Sequence, residues 1–147
     1  MYTLSTRETP ESGRFPLLGT CWSLRFASAS RGRAALEVYC GDELLDIVVP
    51  TSLRPGLLRG AHTDACDGHE LTFAWGVLAE GSDVPPEQVT FTRGRLRATH
   101  RDREATAVRG AFWISVSEGR HHSVAVTRAD GTVERRRVYR GSADASG

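Results

Sequence analysis

The sequence predicts an all-β fold: a single-domain antiparallel β-sandwich or small barrel of about eight to ten short strands. Two observations carry this expectation. Apolar residues recur with a period of two over most of the chain, and Gly-, Asp- and Pro-containing turns separate the alternating stretches at short intervals. Helical amphipathicity is almost absent, because the stretches around Glu80 and Glu104 are too short or too polar.

The elements follow in order. Residues 1–16 mix polar, charged, Pro and Gly residues and read as a flexible arm ahead of a β domain over 17–140. Trp22, Leu24 and Phe26 alternate with Ser23 and Arg25, the pattern of a half-buried strand. Leu36, Val38 and Cys40 alternate with Glu37 and Tyr39, and Gly41-Asp42 turns the chain into Leu44–Val49, so residues 34–49 read as a hairpin. Pro50 to Gly68 is the longest irregular stretch, with room for one helical turn near Leu57-Leu58. Leu71, Phe73, Trp75 and Val77 share one face of the next strand, and the segment from Gly81 to Glu87 breaks it. Apolar residues stand at odd positions in Val89 and Phe91 but at even ones in Leu96 and Ala98. That change of parity places a tight turn at Arg93-Gly94. Phe112, Ile114 and Val116 form another strand, ended by Glu118-Gly119. Val124 and Val126 lead into Ala129-Asp130-Gly131, a strong hairpin signal, with a return strand to about Tyr139. Residues 141–147 read as a disordered tail. Trp22 and Trp75 are expected in the core, where their indole N–H groups need partners.

The pattern Val124-x-Val126 followed by Asp130-Gly131 and a polar-alternating strand resembles small Ig-like or transthyretin-like sandwich modules of GC-rich bacteria. The resemblance spans one hairpin and implies only a fold. A faint internal similarity, Val89–Arg93 against Val124–Arg128, reads as two hairpins built by the same rules rather than as a repeat architecture.

Composition narrows the chemistry. The chain has 147 residues, and its 19 basic residues are all Arg, set against 18 acidic ones for a net charge of +1. Lys and Asn are absent and Ile occurs only at Ile47 and Ile114, the signature of a GC-rich bacterial genome. Without Lys there is no P-loop lysine, Schiff base or Ser–Lys dyad. No apolar run reaches the ~20 residues of a membrane span, and the first residues lack the apolar segment of a secretory signal. A cytoplasmic protein with no membrane partner is therefore expected, its Cys21, Cys40 and Cys66 present as reduced thiols. In an extracellular setting, one disulfide and one thiol would be the expectation instead.

Four constellations hold potential chemistry. His62, Cys66 and His69 have the H-x3-C-x2-H spacing that three Zn ligands could use, with a fourth from Cys40 or Cys21; otherwise no cofactor is expected. Arg95 and Arg97 fall on one face of a strand whose Leu96 and Ala98 face the core, and Arg135 and Arg137 lie in a second cluster that includes Arg136 and Arg140. If these strands pair, a basic face for nucleic acid or another anion results. Trp113 has parity opposite to Phe112 and Ile114, which points it outward as a partner- or sugar-binding aromatic unless both faces of the strand are covered or the strand bulges at Gly110. His121 and His122 are neighbours that a strand would send to opposite faces, and no G-x-S-x-G elbow occurs, so no catalytic residue is assigned.

The sequence alone leads to a non-catalytic β module that binds a protein partner or itself. The alternatives are an anion- or nucleic-acid-binding domain that uses Arg95, Arg97, Arg135 and Arg137, and a small metal- or cysteine-dependent enzyme around His62, Cys66 and His69.

Overall fold

Alternating apolar and polar side chains fold this chain into strands throughout, and a computed structural model describes residues 2–10, 12–50, 57–79 and 81–140 of it. Among the described residues there is no α-helix, only a short 3-10 turn at Ser30–Gly32. Among the described residues, no helix is long and apolar enough to cross a membrane. The fold is all-β, as expected. The tail over 141–147 lies outside the described residues. The strands gather into two units, Met1–Thr51 and Ser52–Gly147.

The first unit is a four-stranded antiparallel meander of β1 (Phe15–Pro16), β2 (Trp22–Ser28), β3 (Ala34–Cys40) and β4 (Glu43–Val48). Trp22, Leu24, Leu36 and Val38 are buried, which accounts for the period of two in the sequence. The opposite face carries the cross-strand pair Arg25–Glu37, whose ion pair measures 2.9 Å, and Tyr39 donates its hydroxyl proton to Glu37. The residues expected as a free arm are tied to this sheet: Leu4 bridges Leu17, and the Ser5 N–H donates to the Pro16 carbonyl at 2.8 Å. Cys21 is disulfide-bonded, and the Sγ of Cys40 lies 3.4 Å from its Sγ.

The second unit holds β5 (Leu58–Cys66), β6 (His69–Val77), β7 (Val89–Arg93), β8 (Thr99–Arg103), β9 (Thr106–Val108), β10 (Phe112–Glu118), β11 (Ser123–Thr127), β12 (Val133–Arg137) and β13 (Tyr139–Arg140). One sheet runs β13-β5-β6-β10-β9 and the other β12-β11-β7-β8. Two chain segments pass between them. β8 pairs with β7 and leads directly into β9, which pairs with β10; β12 pairs with β11 and leads directly into β13, which joins β5 in parallel. Both sheet edges are thereby closed by strands that change sheets, so little bare edge is left. Leu58, Ala61, Ala74, Val89, Phe91, Trp113, Val124 and Val126 meet in the core between the sheets.

Residues 58–66, expected to be irregular, form a nine-residue strand that pairs with β6 from Leu58 to Cys66. Burial explains why: Leu58, Gly60, Ala61, His62 and Thr63 are all buried, so no polar face alternates with the apolar one. The hairpin turns on Asp67-Gly68, both with positive φ (51° and 80°), which matches the primed turns that follow strand twist. Cys66, just before that turn, is disulfide-bonded, so the expectation of reduced thiols fails at both Cys21 and Cys66.

Trp113 is a second correction. It is fully buried, and its indole N–H donates to the Leu57 carbonyl at 3.1 Å. Parity does turn it away from Phe112 and Ile114, but both faces of β10 are covered, so the away-facing side is core as well. The same carbonyl accepts the Val77 N–H at 2.9 Å. Glu134 of β12 completes this anchor, its carboxylate accepting the N–H groups of Leu57 (2.8 Å) and Leu58 (3.3 Å). Glu134→Ala leaves two backbone donors unpaired at the start of β5, and urea unfolding is expected to show a loss of about 2 kcal/mol.

Candidate anion-binding cleft

Three stretches without a single acidic side chain meet at one end of the second unit: Val89–Arg101, Gly119–Arg128 and Arg135–Arg140. The His122 backbone joins them. Its N–H donates to the Thr92 carbonyl at 2.8 Å, and its carbonyl accepts the Val138 N–H at 3.0 Å. Its imidazole Nδ1 accepts the Gly94 N–H at 3.2 Å, which fixes the turn between β7 and β8 against the turn between β10 and β11.

Between these segments opens a cleft of about 320 Å³, at the small end of the usual range for ligand sites. Arg95 lines it from the β7–β8 turn, His121 and His122 from the β10–β11 turn, Arg137, Val138 and Arg140 from the β12–β13 corner, and Thr63 from β5. Among the described residues, no Asp or Glu lines it. Among the described residues, neither Arg95 nor Arg137 has an ion-pair partner. The guanidinium groups of Arg95 and Arg137 thus lend the cleft a positive potential that no described carboxylate on its wall offsets.

His121 sits at the back of this cleft on a buried polar chain. Its backbone N–H donates to the Thr72 hydroxyl at 3.2 Å, and Thr72 Oγ1 lies 2.8 Å from the Gly119 carbonyl and 3.3 Å from Thr63 Oγ1. The imidazole Nε2 lies 3.0 Å from the Glu118 carbonyl. A carbonyl only accepts, so Nε2 carries the proton and Nδ1 of the neutral ring holds a lone pair. That Nδ1 is shielded from water and has no hydrogen-bond partner among the described residues. Nη2 of the adjacent Arg120 is in the same condition. Two buried polar atoms without partners in one turn are unusual in a folded protein and call for an explanation.

Burial pushes the His121 pKa below its ordinary value; the Glu118 carbonyl works against this, and the charges of Arg101, Arg93 and Arg103 add to the lowering. The sign for stability follows. The unfolded chain takes up a proton at the ordinary histidine pKa of about 6.5, whereas the folded ring resists it until lower pH. Stability is therefore undiminished above about pH 6.5, falls as pH drops below it, and levels off beneath the folded pKa. Denaturant unfolding of wild type and His121→Gln across this window is expected to show the dependence only in wild type.

The residues singled out from sequence divide sharply. Arg95 and Arg137 converge on the cleft, whereas Arg97 and Arg135 are exposed and do not line it. The strand expected from Arg95 is instead a bend, and β8 begins only at Thr99; Leu96, assigned to the core, is fully exposed. Arg140, His121 and His122 complete the wall. The two histidines were read as strand residues facing opposite ways, but β10 ends at Glu118 and β11 starts at Ser123, so they lie in a turn where alternation does not hold. The His-His pair next to Gly119, inside a stretch without acids, was the available signal.

His62, Cys66 and His69 do not form a metal centre. His62 and Cys66 are four residues apart on one strand, roughly 13 Å of chain rise. Cys66 is disulfide-bonded, and His69 is exposed beyond the turn. They are not among the described residues whose ligand atoms gather within 4.8 Å of one another.

No family model matches the chain, and neither does any curated protein or solved structure. The fold and cleft define an all-β protein with a basic pocket that no described acidic residue lines.

Proposed function

We propose that this protein binds a small oxyanion, a phosphate or a phosphate-bearing group, in the cleft of its second unit. The convergence of Arg95, Arg137, Arg140 and His122 on one cleft that no described carboxylate lines is the observation that carries this reading. Guanidinium groups present forked donors that suit tetrahedral oxyanions. His122 adds a further donor, since its Nδ1 accepts from Gly94 and its neutral proton therefore sits on Nε2. The cleft accommodates one such group and is too small for a duplex.

The other two readings are favoured less. An interaction module was reached by elimination, and Trp113, one place where it expected an exposed patch, is buried; an enzyme drew on a histidine–cysteine trio that does not converge. Disulfide bonding at Cys21 and Cys66 supports an oxidising setting rather than the cytoplasm.

Titration of the labelled protein with inorganic phosphate, followed by NMR, tests the reading. Saturable shifts confined to the Arg95, His121, His122 and Arg137 signals are expected, weakening as salt is raised. Shifts spread over all exposed arginines, Arg97 and Arg135 included, would contradict it.

A further inference from the structure

The turn between β7 and β8 combines two features that rarely share a short loop. Every residue from Arg93 to Arg101 is exposed, and Leu96 at the tip is fully so. Arg95 and Arg97 flank that leucine, Arg93 ends β7 and Arg101 lies on β8. Among the described residues, none of these arginines has an ion-pair partner. The first acid beyond them, Asp102, is engaged by the Thr90 hydroxyl at 2.7 Å. The loop is anchored at its base, where the Gly94 N–H donates to His122 Nδ1 at 3.2 Å. An aliphatic side chain held out in water contributes nothing to the core, and here it adjoins Arg95 on the cleft wall.

We infer that this end of the second unit docks on an anionic phospholipid surface, with a lipid phosphate in the cleft and Leu96 inserted among the headgroups. This rests on the proposed oxyanion reading and adds what carries the phosphate. Arg95 and Leu96 are consecutive, so their Cα atoms are about 3.8 Å apart. With Arg95 at the level of the phosphates, the leucine side chain reaches toward the acyl boundary, into which interfacial apolar groups sink about 5–10 Å. Arg93, Arg97 and Arg101 lie outside the cleft and supply further attraction to a negatively charged leaflet.

A phosphorylated protein would also bring a phosphate, but it fits the loop less well. A specific protein contact buries about 800 Å² on each partner around an apolar centre. Leu96 stands singly between arginines, which offers such a partner little to pack on. A fluid bilayer needs no shaped counterpart and accepts one apolar side chain wherever the arginines meet its phosphates. The expectation of no membrane partner rested on the lack of a spanning run, and a surface contact requires none.

Co-sedimentation of the full chain with vesicles, beside calorimetric titration with inorganic phosphate, provides the test. The vesicles are phosphatidylcholine alone, or phosphatidylcholine with phosphatidic acid at about four to one. Binding to the acidic vesicles only is expected. Leu96→Ala is expected to weaken vesicle binding about tenfold and to change phosphate affinity by no more than about twofold. Val133→Ala is the control: Val133 is also exposed but pairs with Thr127, at the far end of β12 from Arg137, and neither affinity is expected to change. Phosphate binding without vesicle binding, or unaltered vesicle binding by Leu96→Ala, would overturn the bilayer contact and leave oxyanion binding intact. Binding of a phosphoserine peptide but not of vesicles would likewise overturn it, in favour of a phosphorylated protein. Vesicle binding without phosphate binding would remove the lipid phosphate from the cleft. Binding of neither would overturn the proposed function itself.

Discussion

Replacing Arg95 and Arg137 together with alanine is expected to weaken phosphate binding by about 100-fold at low ionic strength. Each guanidinium supplies charge-assisted donors to the cleft, and loss of one such bond typically weakens binding by about tenfold. The two residues come from different segments, the β7–β8 turn and the end of β12, so the remaining wall does not compensate for both. Both side chains are on exposed residues without ion-pair partners among the described residues, so stability is expected to change little. The matched control is Arg97→Ala with Arg135→Ala. It removes the same charge from the same two segments but from outside the cleft, and a loss of only a few-fold, abolished by salt, is expected. Calorimetry on both pairs separates a site from a diffuse field. Equal losses would assign binding to net charge alone.

The second large effect concerns stability. Gly76→Ala is expected to destabilise the protein by about 3 kcal/mol or to prevent folding. A Cβ at Gly76 would run into the Leu57 carbonyl oxygen and the Trp113 indole nitrogen, the two partners of one hydrogen bond. A carbonyl in a strand entry cannot move aside as a flexible side-chain tip can. The same oxygen also accepts the Val77 N–H, and the adjoining N–H groups are held by Glu134, so displacement there disturbs every link between β5, β6, β10 and β12. Gly81→Ala is the comparison: a Cβ there meets nothing within 4 Å, and only its φ of 76° opposes the change, a cost of about 1 kcal/mol. Chemical denaturation of the two variants measures the difference. A mild effect at Gly76 would mean that the Leu57–Trp113 anchor is not rigid.

These two results bear on what the sequence makes legible. Strands with one face buried announce themselves: Trp22–Ser28 and Ala34–Cys40 alternate because one face meets the core and the other meets water. Strands covered on both faces, or on neither, do not. Leu58–Cys66 lost its alternation to burial on both sides, and Thr99–Arg103 lost it to exposure, so the apolar pair Leu96 and Ala98 just before it drew the strand out of place. Trp113 shows the same limit for side-chain direction, since parity separates two faces without saying which one is wet.

The cleft was half legible. Arg95 and Arg137 stand out as basic residues in predicted strands, but their meeting depends on a chain that leaves one sheet at Val138 and joins the other in parallel, and no local pattern records that. His121 and His122 depended on where a strand ends, the boundary that periodicity reports least well. The charge asymmetry was visible: 12 of 19 arginines follow Ala74, and the acids are missing from the three segments that build the cleft.

A crystal structure of the protein grown with arsenate, a tetrahedral analogue of phosphate with a strong anomalous signal, tests the central claim most directly. One ordered anion is predicted in the cleft, within hydrogen-bond reach of Arg95, Arg137 and Arg140, with His122 turned toward it. An empty cleft at saturating arsenate, or anions distributed over Arg97, Arg135 and Arg136 instead, would contradict it.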